Sequence, residues 1–116
     1  MEEGAQLGTP VIASRELVFT RSDGLSETVK VFLGAPMLSE HGDWLCPYLI
    51  QGMSFQKQFR MVGIDSMQAL IHSVHILADE LASLARKHDG KFTYLGDSEL
   101  LLPLPESLDT SGKRST

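Results

Sequence analysis

His72, His75 and Asp79 stand at i, i+3 and i+7 of a helical pattern, with His75 and Asp79 one turn apart. That spacing can bring two imidazoles and a carboxylate towards one metal ion, as helical zinc motifs do. On a wheel at about 100° per residue, Gln68 and Arg86 share the same flank. The H-E-x-x-H pattern is missing, however, and no second ligand cluster accompanies it; His41 sits in a separate loop segment. A polar stripe facing solvent or a partner is therefore the expectation, with no metal and no cofactor. Nucleophilic catalysis fares no better. It needs a nucleophile, a base within reach and an orienting group. The tempting pair, Cys46 and His41 in "HGDWLCPY", need not be close if 44–50 is a strand, and a buried Cys46 beside Trp44 and Tyr48 is expected instead. Ser66 beside Asp65 belongs to a helix start, and the G-x-S-x-G elbow is absent. "GAPMLSEHGDW" has too few glycines for a phosphate loop. No catalytic residue is expected, and the chain reads as non-enzymatic.

Binding is the better prospect. Ile76, with Ala69, is expected opposite the main apolar stripe of the helix, where a residue facing only solvent would be polar. Together His72, His75, Ile76 and Asp79 form the expected partner-binding flank.

A single long helix must position that flank. Asp65 stands where an N-cap belongs and Gln68 follows three residues on, the D-x-x-Q form of a capping box. Gly63 before them allows the chain to change direction. Met67, Leu70, Val74, Leu77, Leu81 and Leu84 then recur at spacings of 3 and 4, with Ile71, Ala78 and Ala85 widening the stripe. Arg86, Lys87 and His88 suit the negative end of the helix dipole, and Gly90 is the expected left-handed cap. The spacing predicts a helix from about 65 to 88.

Four strands are expected before it. "VIASRELVFTR" and "ETVKVFLG" flank the hairpin signal Asp23-Gly24. "WLCPYLIQG" contains Pro47, which cannot donate a ladder bond and so suggests an edge or a bulge. "SFQKQFRMV" alternates cleanly. After the helix, "KFTYLG" is a short strand candidate, and "ELLLPLP" is expected to lie along an edge or to cover the core. The fold class is α+β: an antiparallel sheet of about four to five strands, a meander, with one long helix packed on one face.

The chain of 116 residues has room for one core. Residues 10–108 are expected to form a single domain, between a loose arm at 1–9 and a frayed tail at 109–116. The formal net charge of −5 argues against a general nucleic-acid binder, which needs a basic surface. One cysteine, Cys46, excludes an intramolecular disulfide. No signal peptide is visible at the start, and no run reaches the roughly 18 apolar residues of a membrane span. A cytoplasmic protein without membrane association is expected.

"GIDSMQAL" at 63–70, "TYLG" at 93–96 and the proline-bearing close at Pro103 carry a resemblance. In Gly63, Asp65, Ser66, Gln68, Ala69, Leu70, Leu95, Gly96 and Pro103 the chain resembles small bacterial proteins catalogued as a domain of unknown function. The resemblance covers most of the chain. It implies a compact α+β fold and a bacterial or phage source, and supplies no activity, cofactor or binding residue. Size, acidity and the lack of catalytic groups make a small acidic binding protein the leading expectation. An immunity-type antagonist that occludes a basic toxin or enzyme is its sharpest form. A self-associating homodimeric structural or regulatory module is the alternative.

Overall fold

Alternation on both sides of Asp23-Gly24 gives the first hairpin. A computed structural model describes residues 7–103. Strand β1 (Val11–Arg21) pairs antiparallel with β2 (Ser26–Gly34). Gly24, at φ 91, supplies the left-handed turn residue, and the Asp23 carboxylate accepts from Leu25 N at 3.0 Å. A two-residue strand, β3 (Met37–Leu38), precedes β4 (Trp44–Gln51), which runs into β5 (Gln56–Gly63). The helix α1 (Ser66–Lys87) follows, and then β6 (Gly90–Thr93) returns to pair with β1. The sheet has six antiparallel strands, one more than the upper expectation. The extra one is β3, inside what reads as a loop. The meander holds from β1 to β5, and α1 carries the chain across one face to the opposite edge.

Pro47 is not on an edge strand. β4 pairs with β5 along its whole length, and on its other side with β2 through Tyr48–Gln51 and with β3 through Trp44 and Leu45. Gly52 N donates to Phe55 O across the turn, so ladder alternation points the backbone of odd-numbered β4 residues away from β5. The Pro47 nitrogen therefore falls in the gap where β2 gives way to β3, and no ladder bond is lost.

The face under α1 holds the main core: Leu17, Phe19, Val29, Val31, Tyr48 and Ile50 meet Leu77, Leu81 and Leu84. Burial pushes the Tyr48 phenol well up, reinforced by the charge and hydrogen bond of Glu80, to which its OH donates at 3.4 Å. The opposite face mixes polar and charged residues such as Thr28, Gln58, Glu16, Lys30 and Arg60 with the exposed Val18 and Val62, and on it Leu7 packs with Phe32 and Leu49. Leu7 is therefore buried rather than part of a loose arm. Thr9 is tied in as well, its Oγ1 donating to Ala35 O at 3.1 Å; residues 1–6 of the expected arm lie outside the described residues, as does the expected tail at 109–116.

The helix bounds match expectation, and its start shows why. Gln68 N donates to Asp65 Oδ1 at 2.7 Å, while Ile64 N donates to Gln68 Oε1 at 2.8 Å. This is a capping box shifted by one residue, since Gln68 satisfies Ile64 rather than Asp65. Asp65→Ala is expected to cost about 1 kcal/mol in urea unfolding through loss of this cap. At the other end the left-handed residue is Asp89, at φ 53, and not Gly90. Gly90 is needed for space: a Cβ there would lie 2.4 Å from the Phe19 ring.

The buried stripe of α1 is also turned from its expected position. Ala69, Ser73, Leu77, Leu81 and Leu84 are buried, whereas Met67 is 67% exposed and Ile71 47%. The first half of the helix rotates because its small residues permit the closest approach to the sheet. Ala69 sits against Gly63, and Ser73 Oγ donates to Cys46 O at 2.5 Å. Leu77, Leu81 and Leu84 belong to both stripes, so the second half stays where periodicity puts it.

Candidate functional site

The expected flank of His72, His75, Ile76 and Asp79 does not converge on one point. His72 Nδ1–H donates to Val62 O of β5 at 2.9 Å, which ties the ring to the sheet. Ile76 packs against the main core rather than opposite it, a consequence of the same helix rotation. His75 is half-buried and its Nδ1 is shielded without a hydrogen-bond partner among the described residues. Asp79 is half-buried and engaged in an interaction of its own. Among the described residues, no three His, Cys, Asp or Glu side chains are grouped so as to hold a metal ion. Gly63, Asp65 and Gln68 do come together, at the helix start already described.

Cys46 is fully buried, and its thiol donates to Gly34 O at 3.3 Å. Burial pushes its pKa up, against a smaller lowering by Ser73, which disfavours the thiolate a nucleophile needs. His41 lies on an exposed loop.

What the rotation of α1 leaves out is apolar. Met67, Ile71, Val74 and Ala78 fall on one shoulder of the helix at i, i+4, i+7 and i+11. Met67 and Ile71 are exposed, with Ile64, 77% exposed, just before the helix. At Val74 this shoulder meets a groove between α1 and strands β1 and β2. Ala13, Leu17, Val31, Leu33, Val74, Leu77 and Leu102 line it. Its volume is about 170 Å³. That is below the roughly 300–1,000 Å³ of a pocket for a cofactor-sized ligand. It suits one or two side chains of a docked segment.

Among the described residues Arg15 is the one ionisable residue lining this groove. Its guanidinium lies 4.5 Å from the Tyr94 ring centroid, a cation–π contact. Its Nη1 donates to the carbonyls of Leu100 at 2.8 Å and Leu101 at 3.1 Å. The "ELLLP" segment thus covers part of the core face, as expected, with Leu100 and Leu102 packed against the cluster.

Sequence reasoning assigned Met67, Leu70 and Val74 to the core, and so missed the shoulder. A usable signal was present: Gly63, Ala69 and Ser73 are the small residues that let a helix lie close to a strand. No helix among the described residues is long and apolar enough to cross a membrane.

Residues 13–104, well over half of the chain, match the family described as "Domain of unknown function (DUF6968)". No curated protein and no solved structure matches the chain.

Proposed function

The chain belongs to this family of unknown function, and we propose that it is a non-enzymatic protein-binding module whose partner docks on the helix shoulder and the adjoining groove. One observation carries the reading. Met67 and Ile71 repeat with the periodicity of core residues, yet 67% and 47% of their surface stays in solvent. Isolated exposed apolar residues mean little, but a stripe bordering a groove is the usual form of an interaction surface. The net charge of −5 favours a basic partner by steering its approach. An immunity-type antagonist of a basic toxin or enzyme, acting in the cytoplasm of a bacterium, is the specific form proposed.

A second reading is self-association. β5 pairs with β4 over eight residues and with no other strand among the described residues, leaving an edge for a second copy. One experiment separates the two. The wild-type chain and a Met67→Asp/Ile71→Asp variant are used to capture the products of neighbouring genes, with light scattering on both. The expected result is a specific partner for the wild type and at least about ten-fold weaker capture by the variant. Stability should change by less than about 0.5 kcal/mol, because both residues are exposed. Capture unaffected by the substitutions would overturn the shoulder as the surface. Self-association alone would favour the second reading.

A further inference from the structure

Residues 98–103 follow β6 as a strap without helix or strand. Among the described residues no backbone–backbone hydrogen bond ties them to the fold. Their polar anchors are the two bonds from Arg15 to Leu100 and Leu101, and one from Glu99 N to Asp97 Oδ1 at 3.0 Å. Leu100 and Leu102 turn in to the core cluster, while Leu101 between them is 63% exposed and left-handed at φ 57. A left-handed leucine is strained. The strap is thus a short peptide held by two leucine side chains and one guanidinium, in a backbone shape that costs energy. Leu102 lines both the open groove and the hollow under the strap, where Leu100 and Leu102 lie with Ala78, Leu81 and Phe92, so the seat of the strap borders the open space.

We propose that the seat of the strap and the open groove it borders form one binding site for a leucine-bearing peptide segment of the partner protein, that Leu100–Leu102 is the resident occupant of the seat, and that Arg15 grips the backbone of whichever segment lies there. The inference deepens the protein-binding reading above and rests on it for the partner. The strap itself displays the chemistry required. Apart from Ser14 and Arg15 the groove lining is hydrocarbon, so apolar side chains are favoured there. The guanidinium offers donors and no acceptor, so it selects peptide carbonyls rather than amides. Leucines two residues apart share the hollow beside Phe92, and the second of them also lines the groove with Leu77. A segment that presents the same groups without a left-handed residue would displace the strap and extend into the open part of the groove.

The test needs no knowledge of the partner. The probe is the capped hexapeptide Ser-Glu-Leu-Leu-Leu-Pro, the sequence of residues 98–103, titrated into the full chain and followed by amide NMR. A Leu100→Ser/Leu102→Ser variant keeps the helix and strand walls of the site but weakens its occupant. Removing that competition should tighten peptide binding by about ten-fold or more over wild type. The shifts should centre on Val31, Leu33, Val74 and Leu77, and adding Arg15→Met should abolish the gain. Equal binding to wild type and variant, shifts elsewhere, or indifference to Arg15→Met would overturn the proposal. So would loss of the folded spectrum in both the double variant and the milder Leu102→Ser, since the strap would then be a structural part of the core. A negative titration beside a positive capture experiment removes the groove and leaves the shoulder as the docking surface.

Discussion

Replacing Gly63 by alanine is expected to destabilise the protein by about 3 kcal/mol, the upper end of what overpacking costs. Gly63 is fully inside the fold, and a Cβ there would lie 2.3 Å from Ala69 N, 2.8 Å from Ala69 Cα and 2.9 Å from Gln68 C. All three are backbone atoms in the first turns of α1, so no side chain can swing away. The helix start itself must move, which also disturbs the Asp65 cap and the Ser73 bond to Cys46. Gly63 does not have a positive φ, so its role is close approach and not the change of direction that its place before the helix suggests. Urea unfolding checks the value, and melting should fall by roughly 12 °C or more at about 4–8 °C per kcal/mol. A loss below about 1 kcal/mol, no larger than that for Asp65→Ala, would show that the helix is not seated on the strand in this way.

Gly63 also marks the limit of what could be read from the chain. Local signals were legible: the Asp23-Gly24 turn, the alternation of β1, β2 and β5, and the Asp65–Gln68 cap each depend on residues close in sequence. The class and meander followed from them. The rotation of α1 was not legible from its own periodicity, because apolar residues span more of the helix than one sheet can bury. Which part is buried is decided by contacts to Gly63 and Cys46, and Cys46 is 27 residues from Ser73 in sequence. The position of Pro47 has the same origin, since a gap in pairing is a property of two neighbouring strands together. This rotation also moved the candidate site. Ile76 turned towards the core, and Met67 and Ile71 turned out, so the apolar surface lies on the shoulder that periodicity alone assigns to the interior. The Arg15 bond to the strap depends on Leu100, 85 residues away along the chain, and no local pattern announces such a contact.

Phe19→Ala is expected to cost about 3–5 kcal/mol, the range for deleting a buried aromatic ring. Phe19 has no exposed surface, and its ring meets Phe92 at 4.7 Å and Phe55 edge-on at 5.3 Å between centroids. Phe55 stacks in turn on His88 at the C-cap of α1, at 4.7 Å. This aromatic group secures the far end of the helix as Gly63 seats the near end, and the shoulder is presented from a helix held at both. Against a total stability of about 5–15 kcal/mol, the loss would leave the fold marginal or unfold it. The adjacent Gly90 provides a sharper test of the packing. A Cβ there would meet Phe19 Cζ at 2.4 Å and Cε2 at 2.8 Å, and Thr20 O at 2.8 Å. Two of these three contacts disappear when Phe19 is alanine. Gly90→Ala should therefore cost less in that background than in the wild type, with a coupling of about 1 kcal/mol or more in a double-mutant cycle. If Phe19→Ala leaves too little folded protein to measure, Phe19→Leu gives the same sign, because a leucine ends short of the ring's far edge. Additivity within about 0.5 kcal/mol would mean that the Phe19 ring does not occupy the space over Gly90, and that something else fixes the start of β6.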